Sequence, residues 1–181
     1  AKAVNGAIIS ADSMQVYRHM DIGSAKIRPE EMCGVPHYLI DVLDPSEEFH
    51  VVKFVELAHE AMEKIYAAGQ IPIVTGGTGF YIQALLKEVD FTESHGELPI
   101  RKQLEEKAAT EEGAAELYRE LSEVDPASAE TIHPNNVKRV IRALEYYHET
   151  GQKISEHNEE QKQKESPYCS EIGRASCRER V

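Results

Sequence analysis

The sequence predicts an α/β protein: a parallel-sheet core followed by an α-helical insertion. Three observations carry that prediction. Short apolar runs at Ala7 to Ser10 and Ile71 to Thr75 each end in a polar or glycine break, as buried strands do. Between them, apolar residues from Val51 to Tyr66 recur at three- and four-residue spacings, giving the single stripe of a core-facing helix. Beyond Val89 no strand candidate remains, and helical patterns alternate with proline breaks.

Taken in order, Ala1 to Asn5 reads as the tail of a helix that enters the first strand. That strand hands Asp12 and Ser13 to the carboxyl edge of the sheet, where open α/β folds bind ligands. A carboxylate held there serves as a general base or a metal ligand, and its oxygen serves equally well to cap the next helix. Tyr17, Asp21 and Lys26 add an aromatic face and charges of both signs. Pro36 to Leu43, closed by Asp44-Pro45-Ser46, reads as a second strand. Pro45 and Ser46 then open a helix, with Glu47 and Glu48 in its first turn, and Gly69 ends it. With Ile71 to Thr75 this makes residues 36–75 a strand-helix-strand unit with a parallel crossover. Gly76-Gly77-Thr78-Gly79 leads into a helix from Phe80 to Lys87. Glycines let a backbone approach a phosphate or an RNA strand at a helix start, and they also suit a plain tight turn.

The remainder divides by composition. Residues 1–90 form a partial core and residues 91–150 a helical insertion, opening on a polar loop at Phe91 to Glu97. Its helices are expected at Arg101 to Ala109, Ala114 to Ser122, Pro126 to Ile132 and Asn135 to Glu149. In the last of these Val137, Val140, Ile141, Leu144 and Tyr147 form the buried face, with Arg139 and Arg142 three apart on another. Gly151 closes it. Residues 151–170 lead back toward the core, and His157 to Lys164 is polar with no period. Residues 171–181 resemble a translated sequencing adapter and are set aside, so the chain is expected to be cut at both ends.

Composition limits the function. A net charge of −12 over 181 residues disfavours a general nucleic-acid binder, although Lys138, Arg139 and Arg142 stand together while acid gathers elsewhere. Cys33, Cys169 and Cys177 have no paired spacing; Cys33-Gly-Val-Pro-His37 is half of a zinc pattern with no second half, so no metal site is expected among these residues. No apolar run spans a membrane and no signal peptide opens the chain, which points to the cytoplasm.

Several blocks together resemble a family. Asp12-Ser13-x-x-x-Tyr17, Asp21-Ile22-Gly23-Ser24-Ala25-Lys26, His37-Tyr38-Leu39-Ile40-Asp41, Asp44-Pro45, Gly76 to Tyr81, Ile132 to Asn136 and Arg139-x-x-Arg142-Ala143-Leu144-Glu145 follow in order. They resemble the signature of the tRNA dimethylallyltransferases, also called tRNA isopentenyltransferases. The resemblance implies a P-loop NTPase-like core that is incomplete here. Its Walker A loop is absent from this sequence and is expected upstream of Ala1, where it would cradle the diphosphate of dimethylallyl diphosphate and hold Mg²⁺.

The implied reaction moves the dimethylallyl group onto the exocyclic amine of the adenosine beside the anticodon of tRNA. By position in the motifs Asp12 matches the general base, and Thr78 and Arg101 match further positions near the tRNA and the reacting centre. Asp12, Ser13, Met14, Gln15, Lys138, Arg139, Val140, Ile141 and Arg142 match the segments that contact the tRNA anticodon stem-loop. Ser24, Asn136 and Lys138 are mild departures from the usual pattern. The implied protein is a cytoplasmic monomer, with this truncated chain itself inactive. Two other readings stand beside it: a P-loop nucleotide kinase-like phosphotransferase, and a noncatalytic RNA-binding fragment.

Overall fold

The computed structural model describes residues 1–89 and 99–173. The polar loop expected at Phe91 to Glu97, and residues 174–181 of the segment set aside, lie outside them. Two units divide the chain, one running over 1–89 and resuming at Ser166, the other spanning 90–165.

The first unit is built on three parallel strands in the order β2-β1-β3. They are β1 (Gly6–Ser10), β2 (His37–Tyr38) and β3 (Ile71–Thr75). In register, Ile8 faces His37 on one side and Ile73 on the other. Alternation along β1 sends Ala7, Ile9 and then Ala11 into the core, where they meet Phe54, Ala58 and Ile65 of α1 (Val51–Ala67) and Leu85 of α2 (Gly79–Lys87). Ile8 and Ser10 look the other way, into a cavity of about 240 Å³. Pro72 costs the sheet nothing on its β1 side: the amide of Ile71 reaches Asn5 and the carbonyl of Thr75 receives Ala11, so the missing N–H faces away.

Three expectations for this unit change. The segment before β1 is a 3₁₀ turn, Lys2–Val4, ended by Asn5 in the left-handed region at φ 50°, and not the tail of an α-helix. The second strand is two residues long instead of eight, because Leu39 and Asp41 turn the chain at φ 62° and 55°. The rest of that segment pairs with the stretch after Asp12. The amide of Val42 donates to the carbonyl of Val16 (2.8 Å), that of Arg18 to Leu43 (2.8 Å), and Tyr17 bridges Leu43 in parallel sense. The helix also starts later, at Val51, capped by His50, whose ring accepts from the Lys53 amide. Glu47 folds back instead onto the Asp44 amide, at 2.7 Å.

Among the described residues five helices make the second unit: α3 (Pro99–Lys107), α4 (Glu111–Val124), α5 (Pro126–Thr131), α6 (Val137–Thr150) and α7 (Ile154–Gln163). Leu104, Leu117, Leu121, Val140, Ile141 and Leu144 form its apolar core. The break at Asp125-Pro126 falls where sequence puts it, with Asp125 capping α5 through Ser128. Residues His157 to Lys164 depart from expectation, since most of them lie in α7. That helix carries no buried residue of its own, so no apolar period marks it. Asp125, only 2% exposed, fixes its first turn by accepting from the amide and hydroxyl of Ser155 at 3.0 and 2.6 Å. Burial alone raises that carboxyl; the hydrogen bonds from Ser128 and Ser155 outweigh it and hold the group below the usual carboxylate range. Among the described residues no helix is long and apolar enough to cross a membrane.

Candidate active site

β1 and β3 end side by side, and Asp12 and Thr78 follow their carboxyl ends. The amide of Thr78 donates to the carbonyl of Ala11 at 3.2 Å, joining the turn after β3 to the residue before Asp12. Gly76 makes this approach feasible, since Ala11 backbone lies where its side chain would be. Thr78 stands at the N-cap position of α2 without a side-chain cap bond of its own.

Asp12 uses Oδ1 to accept from the amides of Met14 (2.8 Å) and Gln15 (3.3 Å). Capping is therefore part of its work, although what it caps is a turn and not a helix. Oδ2 accepts no hydrogen bond among the described residues, which leaves that oxygen for a proton. Gln15 is tied inward: Ser10 donates to its Oε1 at 2.9 Å, and its Nε2 donates to the carbonyls of Ser24 and Ala25. Its side chain thus joins the strand to the loop of residues 21–26, while Ser13 is half-buried and Met14 exposed at the rim.

Lys26 holds the same loop from the other side. Its side chain is 5% exposed, and Nζ donates to the Tyr17 carbonyl (2.8 Å) and the carboxylates of Asp21 (2.8 Å) and Asp41 (2.6 Å). Burial pushes the ammonium down, but the two carboxylates outweigh it and leave its pKa raised; the Lys26 hydrogen bond lowers Asp21 in turn. Tyr17 joins an edge-to-face series with Phe49 and Tyr81, at centroid distances of 6.3 and 5.6 Å, and Tyr81 stacks on Phe54. The charges and aromatic ring that sequence places near Asp12 are therefore the frame of the site.

In the second unit Lys138 and Arg139 are exposed on α6 and form no ion pair among the described residues. Val140 and Ile141 lie between them and Arg142 in sequence but turn inward, 1% and 5% exposed, so their side chains pack in the core. Arg142 and Arg101 share one partner, Glu145, which closes the last motif block but is given no role by it. It is fully buried and takes the guanidinium of Arg142 at 3.1 Å and that of Arg101 at 3.3 Å. The spacing Arg139-x-x-Arg142-x-x-Glu145 holds the signal, for residues three apart on a helix are neighbours. Among the described residues no three His, Cys, Asp or Glu side chains cluster as metal ligands.

A parallel sheet with Asp12 and Thr78 at its carboxyl edge, continued in the same chain by an all-helical unit, defines a protein of the open α/β class. Within that class the chain belongs to the IPP transferase family, whose model matches residues 15–180. It is 63% identical to the tRNA dimethylallyltransferase of Lachnoclostridium phytofermentans over 168 residues, which cover 93% of this chain and 53% of that protein. Against the tRNA dimethylallyltransferase of Bacillus mycoides it is 51% identical over 161 residues, 89% of this chain and 50% of the other. The chain thus spans about half the length of the curated relatives it matches. Among solved structures, it superposes on a eukaryotic dimethylallyltransferase acting on tRNA with a TM-score of 0.76 and 40% identity, covering 92% of this chain and 41% of that one. The tRNA isopentenylpyrophosphate transferase of Bacillus halodurans gives 0.52 and 47%, covering 84% of this chain and 50% of its own.

Proposed function

We propose that the full-length protein to which this chain belongs transfers the dimethylallyl group of dimethylallyl diphosphate to the exocyclic amine of the adenosine beside the anticodon of tRNA. The reading rests on the juxtaposition of Asp12 and Thr78, locked by the Thr78–Ala11 hydrogen bond at the carboxyl edge of the sheet. The relatives named above, all dimethylallyl or isopentenyl transferases of tRNA, support it.

An exocyclic adenine amine is a poor nucleophile, because its lone pair is drawn into the ring. As its nitrogen bonds to the allylic carbon and the carbon–oxygen bond to diphosphate breaks, a base must take the proton. Asp12 is the proposed base, with Oδ1 held by two amides and Oδ2 receiving the proton. By their places in the family motifs Thr78 and Arg101 are proposed as positions near the tRNA and the reacting centre; donors and cations there stabilise the departing diphosphate. The target adenine must leave the stacked anticodon loop to be reached. Ser13, Met14 and Gln15 at the rim, and Lys138, Arg139 and Arg142 on α6, are the proposed RNA contacts; Val140 and Ile141 act only by carrying their neighbours.

Mg²⁺ is proposed as the ion that accompanies the diphosphate, together with a phosphate-binding loop outside this sequence. The described residues supply no ligand cluster for it, and no step here passes through it. The protein is proposed to act as a monomer in the cytoplasm. The test is incubation of the full-length protein with radiolabelled dimethylallyl diphosphate, Mg²⁺ and an anticodon stem-loop RNA. Label in the RNA that vanishes when the target adenosine is replaced by guanosine is expected; label that persists after that replacement overturns the reading.

A further inference from the structure

α6 presents an apolar face to the helical core through Val140, Ile141 and Leu144, yet Glu145 is buried beside them with its side chain 1% exposed. A carboxylate out of water is costly unless paired and hydrogen-bonded. Here the pairing comes from two arginines at once. Nη1 of Arg142, one turn earlier on α6, donates to Oε2 at 3.1 Å. Nη1 of Arg101, from α3, donates to the same oxygen at 3.3 Å and lies 3.5 Å from Oε1. Glu105 takes the Nε of Arg101 at 3.1 Å, fixing that guanidinium along a second edge. Both arginines nevertheless remain 40% and 37% exposed, so part of each fork still faces water.

Two guanidiniums this close repel one another, and on a free surface they would separate. The carboxylate between them holds the pair together and Glu105 balances the second charge, so what the pair offers a ligand is its water-facing N–H edges. Side chains ordered before a ligand arrives lose less freedom when it binds. Planar forks with free N–H edges suit the paired oxygens of a phosphate group.

We propose that Glu145 is a positioning residue that sets Arg101 and Arg142 as one two-guanidinium clamp for a phosphodiester of the RNA. The inference rests on the tRNA reading above and deepens it. It also reverses the sign that simple charge counting gives. Removing a negative charge beside a phosphate site should tighten RNA binding on electrostatics alone, whereas loss of a positioning residue weakens it.

The experiment uses the full-length protein, an anticodon stem-loop RNA and two readouts. In the wild-type protein, ¹⁵N relaxation of the arginine Nε–Hε groups is expected to find Arg101 and Arg142 ordered and Arg139 mobile. Glu145→Gln, which keeps the side chain's shape, is expected to free Arg142 and raise the RNA Kd about tenfold, the scale of a lost charge-assisted hydrogen bond. The same substitution made with Arg101→Ala and Arg142→Ala already present is expected to change Kd no further. An unchanged or lower Kd in folded Glu145→Gln overturns the inference. So do arginines as mobile as Arg139 in the wild type, a result that needs no variant to fold. Absence of RNA binding by the wild-type protein removes the tRNA reading and the clamp's ligand together. Ordered arginines with RNA binding indifferent to Glu145 sink the clamp alone.

Discussion

The carbonyl oxygen of Ala11 occupies the space that a side chain on Gly76 would need: a β-carbon there would lie 2.2 Å from it. No rotamer relieves such a clash, because both partners are backbone. Gly76→Ala must therefore push the end of β1 away from the turn after β3, at a cost of about 1–3 kcal/mol, as overpacking usually brings. Gly77, next along, has nothing within 4 Å of its ideal β-carbon. Gly77→Ala should leave stability within about 0.5 kcal/mol. Urea denaturation of the two variants checks the contrast.

Asp12 both caps a turn and is the proposed base, and the two tasks separate by substitution. Asp12→Asn keeps an oxygen for the amides of Met14 and Gln15 but cannot take a proton. Its melting temperature should match the wild type, while turnover of the full-length enzyme falls by about 10²–10⁴, the usual contribution of a positioned base. If steady-state prenylation by the Asn variant equals that of wild type, the base is elsewhere.

The Lys26 ammonium has its pKa raised in the fold, since the carboxylates of Asp21 and Asp41 outweigh its burial. A group raised on folding contributes stability that is complete below its unfolded pKa, about 10.4, and is lost as pH climbs through the folded value. Unfolding free energy should thus fall at alkaline pH more steeply in wild type than in Lys26→Met. Guanidinium titrations at pH 8 and pH 11 measure the difference; equal losses in the two proteins would mean that the ammonium adds nothing.

Lys138 and Arg139 are exposed and free of ion pairs among the described residues, unlike Arg142 on Glu145. Replacing both by Ala should weaken RNA binding evenly across sequences. The slope of log Kd against log salt should shrink by about 1 for each phosphate that is no longer neutralised. Fluorescence anisotropy of a labelled stem-loop at several salt concentrations reads it, and an unaltered slope would take α6 off the RNA path.

Much of this arrangement is legible from local pattern. β1, β3 and most of α1 follow from apolar spacing, and the helical character after Val89 from its proline breaks. What escapes is set by interactions distant in sequence. Leu39 and Asp41 take left-handed backbone so that the following residues can pair with Val16 and Arg18, which no alternation within residues 36–43 records. α7 escapes because Ile154 is its one apolar residue, half-buried on the core, and sets no period. At the candidate site, the motifs mark Asp12, Thr78 and the basic residues of α6, but local sequence does not reveal that Lys26 and Gln15 are internal braces. Glu145 shows the same limit from the other side. A glutamate among the arginines of such a helix reads as solvated until α3 is folded against it.

The Asp125 anchor of α7 sets how that helix leaves as well as how it stays. A segment fastened at its first turn by polar contacts and the half-buried Ile154, with no fully buried residue of its own, uncovers little oily surface when it peels off. Its release therefore carries a small heat-capacity change, unlike melting of the core formed by Leu117, Leu121 and Leu144. Protonation of Asp125 removes the acceptor that both Ser155 of α7 and Ser128 of α5 use, so acid is expected to loosen this end of the helical unit first.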